Sequence, residues 1–273
     1  MPRAPGRTSE SSVSRRAVSL GMLLLVMAAV LASLKWFDTT SWARWQAEQL
    51  RWNYASHVLM IAVAAVALFS LKRSRADYGL TSQHPARELK LGLLCAIPLA
   101  ILPLALEASL GKLTLESRVA EFWPSTLVFQ VLFVGFGEEL FFRGFLQSEG
   151  NHILGRPLQI GAVRFGASLF LTALLFGIGH WLGPYNPLLN RVAVNWSALL
   201  FTTLSGLVLG FARELTGSLL TAALIHVGAN VYPVLFVNRP AGGAGMALGW
   251  GLVVGILIFA ANSKASSANP TAR

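Results

Sequence analysis

Residues 124–147 read PSTLVFQVLFVGFGEELFFRGFLQ. As a helix this stretch is long enough to cross the roughly 30 Å hydrocarbon core of a bilayer, which takes about 20 residues. It nevertheless holds Glu138, Glu139 and Arg143. Its length and apolarity assign it to a membrane, and its charges demand a reason. An ionisable group inside a span costs at least about 2.5–3.5 kcal/mol on the insertion scale, so each one calls for a partner or a purpose.

The rest of the chain supports the membrane assignment. Of 273 residues, 54% are hydrophobic and only 12% charged, and the mean hydropathy is +0.58. A soluble domain carries about a quarter of its residues as charges. Seven further apolar segments, at about 17–34, 53–71, 90–106, 162–182, 192–212, 216–237 and 243–261, are joined by short connections. The expected fold is therefore all-α, a polytopic membrane protein of about eight transmembrane helices. Residues 15–262 form its single domain, between disordered tails at 1–14 and 263–273 rich in Ser, Arg, Pro, Ala and Asn. The first segment follows Arg15 and Arg16 but exceeds a signal-peptide core in length, so it reads as an uncleaved span.

A net charge of +10 would suit nucleic acid, but the basic residues alternate from side to side along the chain. With the N-terminus in the cytoplasm, fifteen Lys and Arg fall on that side, including Arg15, Arg16, Lys72, Arg73, Arg143 and Arg213, against seven on the other. That bias places both termini in the cytoplasm. The partners expected from it are the lipid bilayer, with anionic lipid at the basic 72–90 loop, and no nucleic acid. Cys95 cannot form an internal disulfide and reads as a small buried hydrophobe. Trp36, Trp42, Trp45, Trp52, Trp123 and Trp181 lie at segment edges as an interfacial belt.

The chemistry concentrates in three segments. Glu139 and Arg143 are four residues apart and share a helix face, while Glu138 points away. Arg143 is thus expected to neutralise Glu139 and leave Glu138 free, as a general base requires. The blander reading is a buried ion network that only locks helices together. Phe176 and His180, again four apart, end the fifth segment, with Gly177 and Gly179 allowing close helix approach. His226 and Asn230 share a face of the seventh. Polar groups on three helices must find one another in lipid, and Glu138, His180, His226 and Asn230 supply a base, two proton carriers and an amide donor. These are parts for activating water and stabilising an oxyanion. His57 reads as solvated at the interface beside Trp52 and Tyr54, His84 and His152 as loop residues, and Glu107 and Glu121 as water-facing boundary residues. Gly206 and Gly210 form a packing spacing of no functional specificity.

Taken in order, Glu138-Glu139-x-x-x-Arg143, Phe176-x-x-x-His180 and His226-x-x-x-Asn230 resemble the three motifs of the CPBP family, the CAAX prenyl protease and bacteriocin-processing intramembrane proteases. Asp77-Tyr-Gly79-Leu-Thr is similar to that family's loop before its third segment, and the motif region spans about 122–231. The resemblance implies eight transmembrane helices around a polar cavity open to cytoplasm and lipid. It also implies an intramembrane endopeptidase in which Glu138 activates water, His180 helps to hold it, and His226 with Asn230 forms the oxyanion hole. Glu139, Arg143 and Phe176 support that geometry. The substrate it implies is a membrane-embedded or membrane-anchored peptide or protein.

A metal-free mechanism is favoured, because no second carboxylate is left free and no zinc spacing is present; if a metal is present, Glu138, His180 and His226 would hold zinc. Short loops and the absence of organelle signals suggest a bacterial plasma membrane. One point resists this picture: Glu138 falls in the inner third of its segment and His180 at the outer end of the fifth. Either the fifth helix starts late or the 148–161 connection dips into the membrane. Two other classes compete: a non-catalytic scaffold, chaperone or immunity factor of the same fold, and a proton-coupled transporter with Glu138 and the histidines as a relay. From the basic bias, reporter fusions at residues 80, 155 and 268 are expected to register cytoplasm, and those at 45, 115 and 187 the opposite side. Cytoplasmic readings at 45 and 115 would defeat this orientation.

Overall fold

The structure, a computed structural model, describes residues 7–111, 113–237 and 242–268. Its helices are α1 (Arg7–Phe37), α2 (Ser41–Gln49), α3 (Tyr54–Ser70), α4 (Pro85–Ser109), the short α5 (Ser117–Glu121), α6 (Trp123–Leu154), α7 (Ala167–Trp181), α8 (Trp196–Thr216), α9 (Leu219–Leu235) and α10 (Gly242–Ala268). Two antiparallel ladders of two or three residues join them: β1 (Thr114–Leu115) with β4 (Phe236–Val237), and β2 (Leu158–Ile160) with β3 (Val163–Phe165). Of the tails read as disordered, 7–14 and 263–268 are helical, while 1–6 and 269–273 lie outside the described residues.

Hydrogen bonds sort the connections into two ends. At one end, Lys35 donates to the Leu182 carbonyl at 2.7 Å, Asn186 to the Lys35 carbonyl at 2.8 Å and Arg118 to the Ala47 carbonyl at 3.3 Å, and β1 pairs with β4. At the other, Arg213 donates to the Asp77 carbonyl at 2.8 Å, Arg73 pairs with Glu149 at 2.8 Å, Arg156 with Glu214 at 2.9 Å, and Lys264 reaches the Leu215 carbonyl at 3.2 Å. The long helices therefore run alternately between the two ends. Arg143 and Arg213 are buried, so they drop out of the basic count that orients the chain, and the excess at the second end survives without them.

Among the described residues, five helices, α1, α4, α6, α8 and α10, are long and apolar enough to cross a membrane; α2 with α3, bent by 111°, makes a sixth if the pair is one span. The chain is a polytopic membrane protein, but the expectation of eight spans is met only in part. At 15 and 17 residues, α7 and α9 reach about 22–26 Å and fall short of the hydrocarbon thickness. Large apolar side chains such as Val66, Phe69, Ile97, Leu200 and Phe259 point outward, as a lipid-facing surface requires.

Inside, one apolar core joins α4, α8, α9 and α10 around Cys95, Leu99, Leu209, Ile225 and Val253. A second joins α1, α3, α6 and α7 around Met27, Ala64, Phe141, Phe142 and Phe176. Helix α6 meets both groups, packing on α3, α7 and α9. It is unusual in its backbone, since Phe129–Glu138 and Leu140–Gln147 are π-helical, with i→i+5 hydrogen bonds. Such stretches are rare and concentrate at functional sites.

The loop between α3 and α4 is tied down by polar contacts. Ser74, through its hydroxyl and its backbone N–H, donates to the Asp77 carboxylate and holds it below the ordinary carboxylate range. Gly79 adopts a φ of +70°, and a Cβ there would lie 2.6 Å from Arg213 Nε. Only glycine suits both the backbone and the approach of Arg213 to this loop.

Glu107, read from sequence as water-facing, is buried and accepts a 2.9 Å hydrogen bond from Tyr232 OH, because α9 packs along α4 over its whole length and covers that face. His152 lies on the last turn of α6, beyond the segment read as ending at 147. The α4–α9 contact depends on Gly228, where a Cβ would stand 2.7 Å from the Cα, Cβ and carbonyl oxygen of Ala96. Gly228→Ala is expected to cost about 1–3 kcal/mol through overpacking, read as a lowered melting temperature in detergent; an unchanged melting temperature would contradict this close approach.

Candidate active site

The site is built around α6. Glu139 is fully buried and its Oε1 accepts two hydrogen bonds of 2.9 Å, from Arg143 Nη1 one turn along and from His226 Nδ1 of α9. Arg143, 1% exposed, also donates to the Gly206 carbonyl of α8 at 3.3 Å and lies 4.5 Å from the centre of the Phe176 ring. Phe176 in turn meets His180 and His226 edge to face, with centroids 4.5 and 5.8 Å apart. The expected Glu139–Arg143 pair is thus formed, and it ties α6 to α7, α8 and α9. The Gly206 and Gly210 carbonyls, read as mere packing positions, accept from Arg143 and from Gln147, the latter at 3.2 Å.

Glu138 is not free, as the sequence suggested. Its Oε1 accepts a 2.9 Å hydrogen bond from His57 Nε2 of α3. His57, assigned from sequence to the solvated interface, is instead part of the site. The start of α3 is stapled onto α6: Trp52 Nε1 donates to Thr126 Oγ1 at 3.1 Å and Tyr54 OH to the Ser125 carbonyl at 2.7 Å. This carries His57 inward, where its ring meets Phe129 at 4.7 Å. No local spacing marks such a contact, because its partners are 81 residues apart. The one sequence hint is a Ser56-His57 pair in an otherwise apolar helix.

The other oxygen of Glu138, Oε2, is buried without a hydrogen-bond partner and stands 3.9 Å from His226 Nε2. That separation is too long for a hydrogen bond and is the distance at which one water bridges two groups. Glu138, His57 and His180 line a common cavity of about 240 Å³ between α1, α3, α6 and α7. The depth problem is resolved by α7, which begins only at Ala167, and by Glu138 lying midway along the 32-residue α6. His180 Nδ1 donates to the Phe176 carbonyl at 2.9 Å, so the neutral ring offers Nε2 as an acceptor.

Asn230 is not brought into this cavity. Its Nδ2 donates to Gln130 Oε1 at 3.2 Å, and it lines a neighbouring apolar cavity of about 260 Å³ between α6 and α9. Among the described residues no three His, Cys, Asp or Glu side chains, Glu138, His180 and His226 included, are placed to hold a metal ion.

A polytopic helical protein with a buried carboxylate held among histidines in mid-bundle is the class that fold and site define. Residues 120–232, from the end of α5 to α9, match the family model described as Type II CAAX prenyl endopeptidase Rce1-like. The chain carries a domain of that family, which is a family of peptide hydrolases. Comparisons with curated proteins and with solved structures gave no match. Because Glu139 answers both Arg143 and His226, Glu139→Gln or Arg143→Ala leaves a buried charge without its partner. Each is expected to cost about 3–5 kcal/mol of stability, measured by unfolding in detergent, with Glu138→Gln shifting the transition far less.

Proposed function

We propose that this protein is an intramembrane endopeptidase that hydrolyses a peptide bond of a membrane-embedded or membrane-anchored substrate. The observation that supports it best is Glu138, buried in mid-helix with Oε1 held by His57 and Oε2 left facing His226 Nε2 at 3.9 Å. A water between Oε2 and His226, in a cavity that His180 also lines, passes a proton to Oε2 as its oxygen adds to the peptide carbonyl. The proton on Oε2 then goes to the leaving nitrogen as the C–N bond breaks. Glu139 holds His226 in one orientation through Nδ1, as a buried carboxylate does for a catalytic histidine. His226 donates to the oxyanion from Nε2 when both ring nitrogens carry protons. Asn230, with one of its two N–H groups on Gln130, offers the other once substrate opens the space between the two cavities.

We place the chain as eight helices around this cavity, in a bacterial plasma membrane with both termini cytoplasmic. The alternating helices and the basic excess at the 72–90 end support that orientation. Glu138→Gln is the decisive variant, since the amide is isosteric but takes up no proton. It is expected to lose about 100- to 10,000-fold in turnover with folding intact. The measurement compares membrane proteomes of cells making the wild-type protein or Glu138→Gln, scored for new cleaved termini. Identical termini in both would remove Glu138 as the base, and an undiminished biological effect of Glu138→Gln would favour a scaffold of the same fold.

A further inference from the structure

We infer that His57, in α3 and outside the segment that matches the family model, is a positioning residue that holds the Glu138 carboxylate with one oxygen turned toward His226. The inference rests on the reading of Glu138 as the base. A glutamate carboxylate sits at the end of three side-chain torsions, the last of them broad. Without a fixed donor, the Glu138 carboxylate would swing within its pocket and lose its place beside His226. His57 Nε2, at 2.9 Å from Oε1, removes that freedom and leaves Oε2 alone toward His226.

The donor is itself fixed. Ser56 Oγ lies 3.1 Å from His57 Nδ1, and Phe129 packs against the ring at 4.7 Å. Trp52 and Tyr54 anchor the start of the helix on Thr126 and Ser125. Among the described residues, His226 of α9, His180 of α7 and Arg143 of α6 also act electrostatically on Glu138, and none of them makes a hydrogen bond to Oε1. Here the contact joins two helices at the one side chain whose orientation sets the geometry of the reaction.

The test uses the full chain in lipid nanodiscs, labelled with ¹³C-glutamate and ¹⁵N-histidine, and reads the dipolar coupling between the Glu138 carboxyl carbon and His226 Nε2. It is expected in the wild type and in His57→Gln, whose longer amide keeps an N–H donor near the ε position, and lost in His57→Leu and in the shorter His57→Asn. A coupling that persists in both His57→Leu and His57→Asn, or that is absent from the wild type, overturns the inference.

A second arm measures cleavage of an internally quenched peptide with a prenylated CAAX terminus. His57→Leu is expected to lower kcat by about 10- to 100-fold, with KM within about twofold, and His57→Gln to restore most of the rate. Wild-type kcat in His57→Leu, while Glu138→Gln is inactive, also overturns it. If the wild type does not cleave this peptide while the couplings change as expected, it is the protease reading with this substrate that fails, and the positioning of Glu138 by His57 stands.

Discussion

Glu139 and Arg143 meet inside an apolar bundle, and the arrangement of four helices follows from satisfying them. Burying such a pair carries a desolvation penalty that geometry and further hydrogen bonds must offset. The further bonds come from His226 of α9 to Glu139 and from Arg143 to the Gly206 carbonyl of α8, while Phe176 of α7 covers the guanidinium. That carbonyl is within reach because small residues line the contact: a Cβ on Gly206 would lie 3.1 Å from Ala173 Cα. The pair therefore acts as the joint that sets how α7, α8 and α9 stand against α6. His226 is oriented as a consequence, with Nδ1 on Glu139 and Nε2 toward Glu138.

The π-helical backbone of α6 belongs to the same problem. Glu138 and Glu139 are adjacent in sequence but must serve different neighbours, one facing α3 and the other α9. A helix closed by i→i+5 bonds is wider than an α-helix, and this one carries both carboxylates through the interior between two apolar cores. Along its N-terminal half, Trp52, Tyr54 and Phe129 pack together, with Trp52 stacked on Phe129 at 4.9 Å. Trp52, which read as part of an interfacial belt, thus also helps to set the position of His57.

Membrane class and helix order were written in the sequence, because apolar length and the i, i+4 spacing of charges are local properties. Glu139 with Arg143, and Phe176 with His180, were legible for that reason: a single helix is enough to bring them together. Contacts between distant segments were not. His57 joins Glu138, Tyr232 covers Glu107, and Asn230 turns to Gln130, all through helix packing that no spacing along the chain encodes. Where each helix begins was likewise decided in three dimensions. The β2–β3 hairpin takes up 158–165 and delays α7 to Ala167, which puts His180 in the same cavity as Glu138. The sequence by itself determined that Glu138, Glu139 and Arg143 had to be buried against their chemistry; the tertiary structure alone decided their partners, because in an apolar interior a buried polar group can bond only to the neighbours that the packing brings within reach.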